Sequence, residues 1–210
     1  DDDFSKFGSI AELTNWNIYS PVWAPVSLEG AWLKLQDKDP FDYAKVERKI
    51  PASKELKVSF DLLAEQNDKG RLQIDFLDGN SIACSRLELT PDGIFRMKGG
   101  SRFANMMNYE AGKTYHVEAV LSTADRNIQV YVDGKRVGLR MFYAPVATIE
   151  RIAFRTGEMR TFPTVDTPAD QTYDLPDAGG QEPLAEYRIA NVKTSSTDKD
   201  ASSAFLKYAD

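Results

Sequence analysis

The 210-residue chain has one cysteine, Cys84, and one histidine, His116. A single thiol excludes an internal disulfide and any multi-cysteine metal site. A single imidazole excludes His-rich metal centres and forces any Ser-His-Asp or Cys-His mechanism through that one residue. Excess positive charge is missing as well: 32 acidic side chains stand against 26 basic ones, for a net charge of −6. A nucleic-acid binder carries the opposite footprint, a basic patch or stripe, so no nucleic-acid partner is expected. No apolar run approaches the roughly 18 to 20 residues that a membrane-spanning helix needs. With 42% apolar and 28% charged residues, the classes left open are a binding module, an interaction or support domain, and an enzyme working with carboxylates, Tyr, Lys or Arg.

Helical periodicity is scarce too, with weak signals only at residues 9–13 and 201–208. What is present instead is alternation with a period of two, the pattern of a strand with one buried and one wet face. Leu56-Lys57-Val58-Ser59-Phe60-Asp61-Leu62 puts an apolar residue at every even position, and Leu72-Gln73-Ile74-Asp75-Phe76 repeats the rule. Further strands are expected at 31–35, 43–50, 82–89, 94–97, 117–121, 128–132, 151–155 and 187–192. Asp78-Gly79-Asn80, Pro91-Asp92-Gly93 and Asp133-Gly134-Lys135 supply the positive-φ positions of tight turns. The last of these pairs 128–132 with 136–139 in a hairpin. Around ten short strands at this spacing predict an all-β chain, a two-sheet antiparallel β-sandwich of jelly-roll kind.

Two segments break the alternation. Residues 15–28 hold Trp16, Tyr19, Pro21, Trp23 and Pro25 and read as too irregular for a strand. Residues 161–183 carry four prolines and five acids (Asp166, Asp170, Asp174, Asp177, Glu182) without a Lys or Arg. A strand pattern follows this stretch, so it reads as a long loop within a single domain over 1–195, with a polar, frayed tail at 196–210.

Gly112-Lys113-Thr114-Tyr115-His116-Val117-Glu118-Ala119-Val120, followed by Asn127-Ile128-Gln129-Val130-Tyr131-Val132-Asp133-Gly134, resembles the laminin G-like branch of the concanavalin A-like lectin/glucanase fold. The start through Trp16 and Trp32-Leu33-Lys34-Leu35-Gln36-Asp37, and the segments Arg151–Gly157 and Arg188–Lys193, are similar to domains attached to secreted bacterial polysaccharide-degrading enzymes. The resemblance covers roughly residues 1 to 195 and specifies a fold more than an activity. It implies a glycan-related protein that is secreted, periplasmic or on the cell surface.

Glucanases of this fold carry an E-x-D-x-x-E strand, whose two Glu side chains can sit about 5 to 5.5 Å apart for a retaining mechanism. The nearest match, Gln73-Ile74-Asp75-Phe76-Leu77-Asp78, has an amide where the nucleophile belongs. Lyases of the fold use Tyr or His with Arg and Gln neighbours; Tyr115, His116, Arg71 and Gln73 supply the types, but no spacing joins them. His116 accordingly reads as strand scaffold, and no catalytic residue is assigned. Sugar binding needs aromatic faces and planar polar groups, with Arg suited to carboxylates. Tyr19 and Trp23 are the expected aromatic contacts, and Arg48, Arg71, Asp75, Arg96 and Arg155 the expected polar ones. Trp16 and Trp32 read as core or edge cover, and Cys84 as a buried small residue. A calcium ion is frequent in this fold class, and Asp37, Asp39 and Asp42, or Asp166 and Asp170 of the long loop, are the expected ligands, although neither cluster matches a D-x-D-x-D-G loop. Three functions remain: a non-catalytic accessory or carbohydrate-binding module of a secreted polysaccharide-degrading protein, a structural domain packing on a catalytic domain absent from this chain, and a free-standing glycoside hydrolase or polysaccharide lyase. The expected partners are a polysaccharide or oligosaccharide and a catalytic domain of the same or another chain.

Overall fold

In the computed structural model, which describes residues 1–38, 42–157 and 184–196, alternation resolves into fourteen strands among the described residues. They are β1 (Trp16–Tyr19), β2 (Val26–Glu29), β3 (Trp32–Asp37), β4 (Lys45–Ser53), β5 (Glu55–Ala64), β6 (Leu72–Leu77), β7 (Ala83–Leu89), β8 (Ile94–Gly99), β9 (Arg102–Asn108), β10 (Thr114–Ser122), β11 (Asn127–Val132), β12 (Lys135–Met141), β13 (Ile149–Thr156) and β14 (Ala185–Ser196). The weak helical signal at 9–13 becomes a single 3-10 turn, Ile10–Glu12, preceded by another at Phe4–Lys6. The expected loop at 161–183 and the weak helical signal at 201–208 lie outside the described residues, as does nearly all of the 196–210 tail.

Two seven-stranded antiparallel sheets result. The first runs β1-β4-β13-β6-β7-β8-β9 and the second β12-β11-β10-β5-β14-β3-β2. Their inner faces meet in one core because the apolar parity of each strand points the same way. Ile74, Phe76, Ile152 and Phe154 of the first sheet and Leu33, Leu35, Val58, Phe60 and Ile189 of the second are fully buried. Phe60 and Phe154 meet edge to face across the seam at 5.1 Å, a favoured aromatic geometry. The expected hairpin forms between β11 and β12, where Asp133 and Gly134 take φ of 50° and 78°, the two positive values that such a turn needs. On one open side of the sandwich β12 approaches β8 and β9. A Cβ at Gly138 would stand 2.7 Å from the Cε of Met97 and 2.9 Å from the Sδ of Met106, so a larger residue there would require these flexible side chains to shift.

The stretch at 15–28 is corrected by the structure. It forms β1 and β2, each four residues long, with Pro21 and Pro25 confined to the connection where no ladder N–H is needed. β9 was not expected either: Phe103-Ala104-Asn105-Met106-Met107 has no alternation, because this edge strand is half-exposed on both faces. Trp16 is buried against Phe4 and Phe154, with centroids 5.6 and 6.5 Å away, in line with its core reading.

A candidate site on the outer face of the first sheet

The registers of the first sheet place one residue from every strand side by side on its outer face. Tyr19 (β1) lies opposite Lys45 (β4), Lys45 opposite Arg155 (β13), Arg155 opposite Gln73 (β6), Gln73 opposite Glu88 (β7), Glu88 opposite Arg96 (β8), and Arg96 opposite Asn105 (β9). Directly opposed residues share a face and touch. At about 4.8 Å per strand, the row is roughly 29 Å long. A second row lies beside it: Asn17, Glu47, Ala153, Asp75, Arg86, Lys98 and Phe103.

Internal ion pairs hold these side chains in place. Glu88, 2% exposed, accepts from Arg96 Nε at 3.0 Å and Nη2 at 2.6 Å and also pairs with Arg71. Arg96 in turn covers the Phe103 ring at 4.2 Å. Arg86 grips Asp75 with a two-pronged contact at 2.6 and 2.9 Å. Burial pulls the Arg86 pKa down, but the hydrogen bond and charge of Asp75, with the charges of Tyr143 and Glu88, together outweigh it and leave the group above its ordinary value. At one end, Tyr19 is 46% exposed, packs against Tyr43 with tilted rings 5.2 Å apart and donates through its hydroxyl to Asp42 at 3.0 Å. Tyr43 carries the Arg155 guanidinium 4.0 Å above its ring. Burial pulls the Arg155 pKa below its ordinary value. Near the other end, Tyr143 underlies Lys98 at 4.5 Å, and burial pushes its phenol up to about 12.

Five of the seven residues expected to bind sugar therefore share this face: Tyr19, Arg71, Asp75, Arg96 and Arg155. Arg48 does not. It lies opposite Trp16 and Ile152 on the inner side of β4, where it is buried and paired with Asp2. Its parity with Val46 and Ile50 is the reason. Trp23 is half exposed beside Val22, which is 84% exposed, at the tip of the β1–β2 connection. That tip is held by Ala24 N–H to Pro21 O at 3.2 Å, Lys38 N–H to Trp23 O at 2.9 Å and Val26 N–H to Ser20 Oγ at 2.8 Å. Sequence reasoning did not single out Gln73 or Glu88 as members of this row. Parity puts both on the outer face, but only the register reveals them as neighbours.

The lyase-type set is separated by the fold: His116 is on the outer face of the second sheet, 2.7 Å from Asp61, and Gln73 is on the outer face of the first. The acids of the glucanase-like stretch are both engaged, Asp75 by Arg86 and Asp78 by the N–H groups of Asn80 and Ile82 at 2.9 and 2.8 Å. Of the expected calcium ligands, Asp37 is buried at the end of β3, and Asp42 accepts from Tyr19 and from the Tyr43 N–H at 2.9 Å. Asp39, Asp166 and Asp170 lie outside the described residues. Among the described residues no group of three His, Cys, Asp or Glu side chains gathers as a metal site. Cys84 is fully buried, and burial pushes its thiol up to about 12.

A family model described as "Sialidase-like, CBM domain" matches residues 16–171. No curated protein matches the chain. Among solved structures, a chain named sialidase is 92% identical, with a TM-score of 0.89; the match covers 100% of this chain and 20% of that one. The chain thus spans about a fifth of that sialidase. A chain described with endo-acting O-glycanases that members of the human gut microbiota express to initiate mucin breakdown is 12% identical (TM-score 0.65), covering 94% of this chain and 98% of that one. An alginate lyase of polysaccharide lyase family 7 is 13% identical (TM-score 0.54), with coverage of 88% and 95%. At 12 and 13% identity the likeness is one of fold.

Proposed function

The chain belongs to the sialidase-like CBM domain family, and on that footing we propose that the outer face of its first sheet is the surface that holds a glycan. Its function is that of a carbohydrate-binding accessory module. The observation that carries the choice of face is the row Tyr19, Lys45, Arg155, Gln73, Glu88, Arg96, Asn105, with an exposed aromatic ring at one end, a lysine beside it and planar polar groups along the rest. Sugar rings offer C–H faces to an aromatic ring and hydroxyls to amides, guanidinium groups and carboxylates. The ion pairs around Glu88 and Asp75 fix those groups before a ligand arrives, which lowers the ordering cost of binding.

In the same reading the module sits beside the catalytic part of a secreted bacterial glycan-degrading protein, a sialidase, and keeps it on its polysaccharide. The support is the 92% identity to a fifth of a solved sialidase. The rigid Val22–Trp23 tip favours a second role: exposed apolar residues on a preorganised turn suit docking onto the adjoining catalytic part.

Retention on affinity gels carrying sialylated, desialylated and uronate-containing glycans tests the binding face. Tyr19→Ala is expected to weaken retention about tenfold, a loss of about 1.4 kcal/mol, while Lys57→Ala on the outer face of the second sheet leaves it unchanged. Equal retention of both variants and the unaltered protein would remove the face from consideration.

A further inference from the structure

We propose that Gln73 is the specificity-determining residue of this surface, its amide oxygen accepting a hydrogen bond from a sugar donor, either a hydroxyl or an acetamido N–H, positioned over β6. The inference rests on the binding face argued above and goes further by naming the ligand group read at its centre. Gln73 is the fourth of seven residues in the row, flanked by Arg155 and Glu88. It is only 5% exposed, and its Oε1 is buried with no hydrogen-bond partner among the described residues.

Its row neighbour Glu88 is occupied by Arg71 and Arg96, and the Arg155 guanidinium lies over the Tyr43 ring. Buried polar atoms are satisfied in the great majority of cases, and an exception on a ligand-binding face points to a group that arrives with the ligand. The chemistry follows from the atom. An amide oxygen attracts O–H or N–H and repels a carboxylate or sulfate oxygen, while the Nε2 of the same amide donates. A glutamate here would accept equally well but would add a second buried anion beside Glu88.

The orphan state predicts a paired signature. Gln73→Met keeps most of the side-chain volume and removes an unsatisfied buried amide. The free protein is therefore expected to melt at the same temperature or higher, while affinity falls at least tenfold. Binding of lactose, N-acetyllactosamine and sialyllactose is measured by calorimetry beside thermal melting, for the unaltered protein, Gln73→Met, Gln73→Leu and Tyr19→Ala. A loss confined to the two acetamido-bearing probes identifies an N–H donor, and a loss on all three identifies a hydroxyl. Unchanged affinity in both Gln73 variants, with Tyr19→Ala weakened, overturns this inference and leaves the binding face standing. A lowered melting temperature in both variants assigns Gln73 a structural role and also overturns it. No binding of any probe by the unaltered protein removes the inference and the face together.

Discussion

Glu47 shows how a single carboxylate on this sheet is kept ionised. It lies in the second polar row, nearly buried, and accepts from Lys45 Nζ at 2.9 Å and Asn17 Nδ2 at 3.2 Å, with Arg151 at 3.3 Å. Burial alone would raise its pKa; the Lys45 and Asn17 hydrogen bonds outweigh that and hold it below the ordinary carboxylate value. A carboxylate whose folded pKa is depressed binds fewer protons folded than unfolded as the pH falls through that range. Its stabilising contribution is complete above its ordinary value of about 4.3 and is lost as pH falls through the folded value. Glu47→Gln has no such dependence. The melting temperature of the unaltered protein should exceed that of Glu47→Gln by most near neutrality, and the gap should close toward pH 3. A gap that stays constant over that range would mean that the shift at Glu47 does not contribute to folding.

At the scale of elements, the N-terminal segment is a tie rather than a loose end. Asp2 bridges to Val192 of β14 through its backbone, while its carboxylate accepts from Trp16 Nε1 at 3.1 Å and pairs with the guanidinium of Arg48. One side chain thus joins β1 and β4 of the first sheet to a segment hydrogen-bonded to the second. Asp2→Ala would leave a buried guanidinium unpaired, and the expected cost is about 3 kcal/mol by urea unfolding; a loss under about 0.5 kcal/mol would show that Arg48 finds another partner. The same pair shows what was legible in the sequence and what was not. Alternation located eleven strands because enough of each keeps its parity, and it put Gln73, Asp75 and Arg155 on a polar face correctly. Strict use of the same parity would have turned Arg48 inward, since Val46 and Ile50 share its side of β4. β1 and β2 escaped because four-residue strands between prolines carry too few alternations, and β9 because an edge strand need not alternate. The polar row itself was out of reach. It depends on β13 entering between β4 and β6, and parity within a strand says nothing about which strand comes next to it.

For the molecule as a whole, tyrosines shielded from water set an alkaline limit. Burial raises the phenols of Tyr109 and Tyr143 to about 12 and that of Tyr187 further in the same direction. These groups belong to different parts of the sandwich: Tyr109 follows β9 and donates to Thr90 O at 2.7 Å, Tyr143 lies over the β7–β8 end of the first sheet, and Tyr187 is in β14 of the second. An acid whose folded pKa is raised stays protonated in the fold while the unfolded chain releases its proton. The associated stability is complete below the ordinary phenol value of about 10 and is lost as pH rises through the folded values. Stability should therefore fall between pH 10 and 12, and tyrosinate absorbance from these three groups should appear together with loss of the strand signal in circular dichroism. Tyr143→Phe removes one of the releases, and among the described residues its hydroxyl makes no hydrogen bond to lose, so its unfolding midpoint should move to higher pH. If all the tyrosines of the chain ionise near pH 10 while the strand signal persists, the phenols are not confined by the fold. Since the three are spread over both sheets, a shared midpoint would further show that the sandwich opens as one unit and not sheet by sheet.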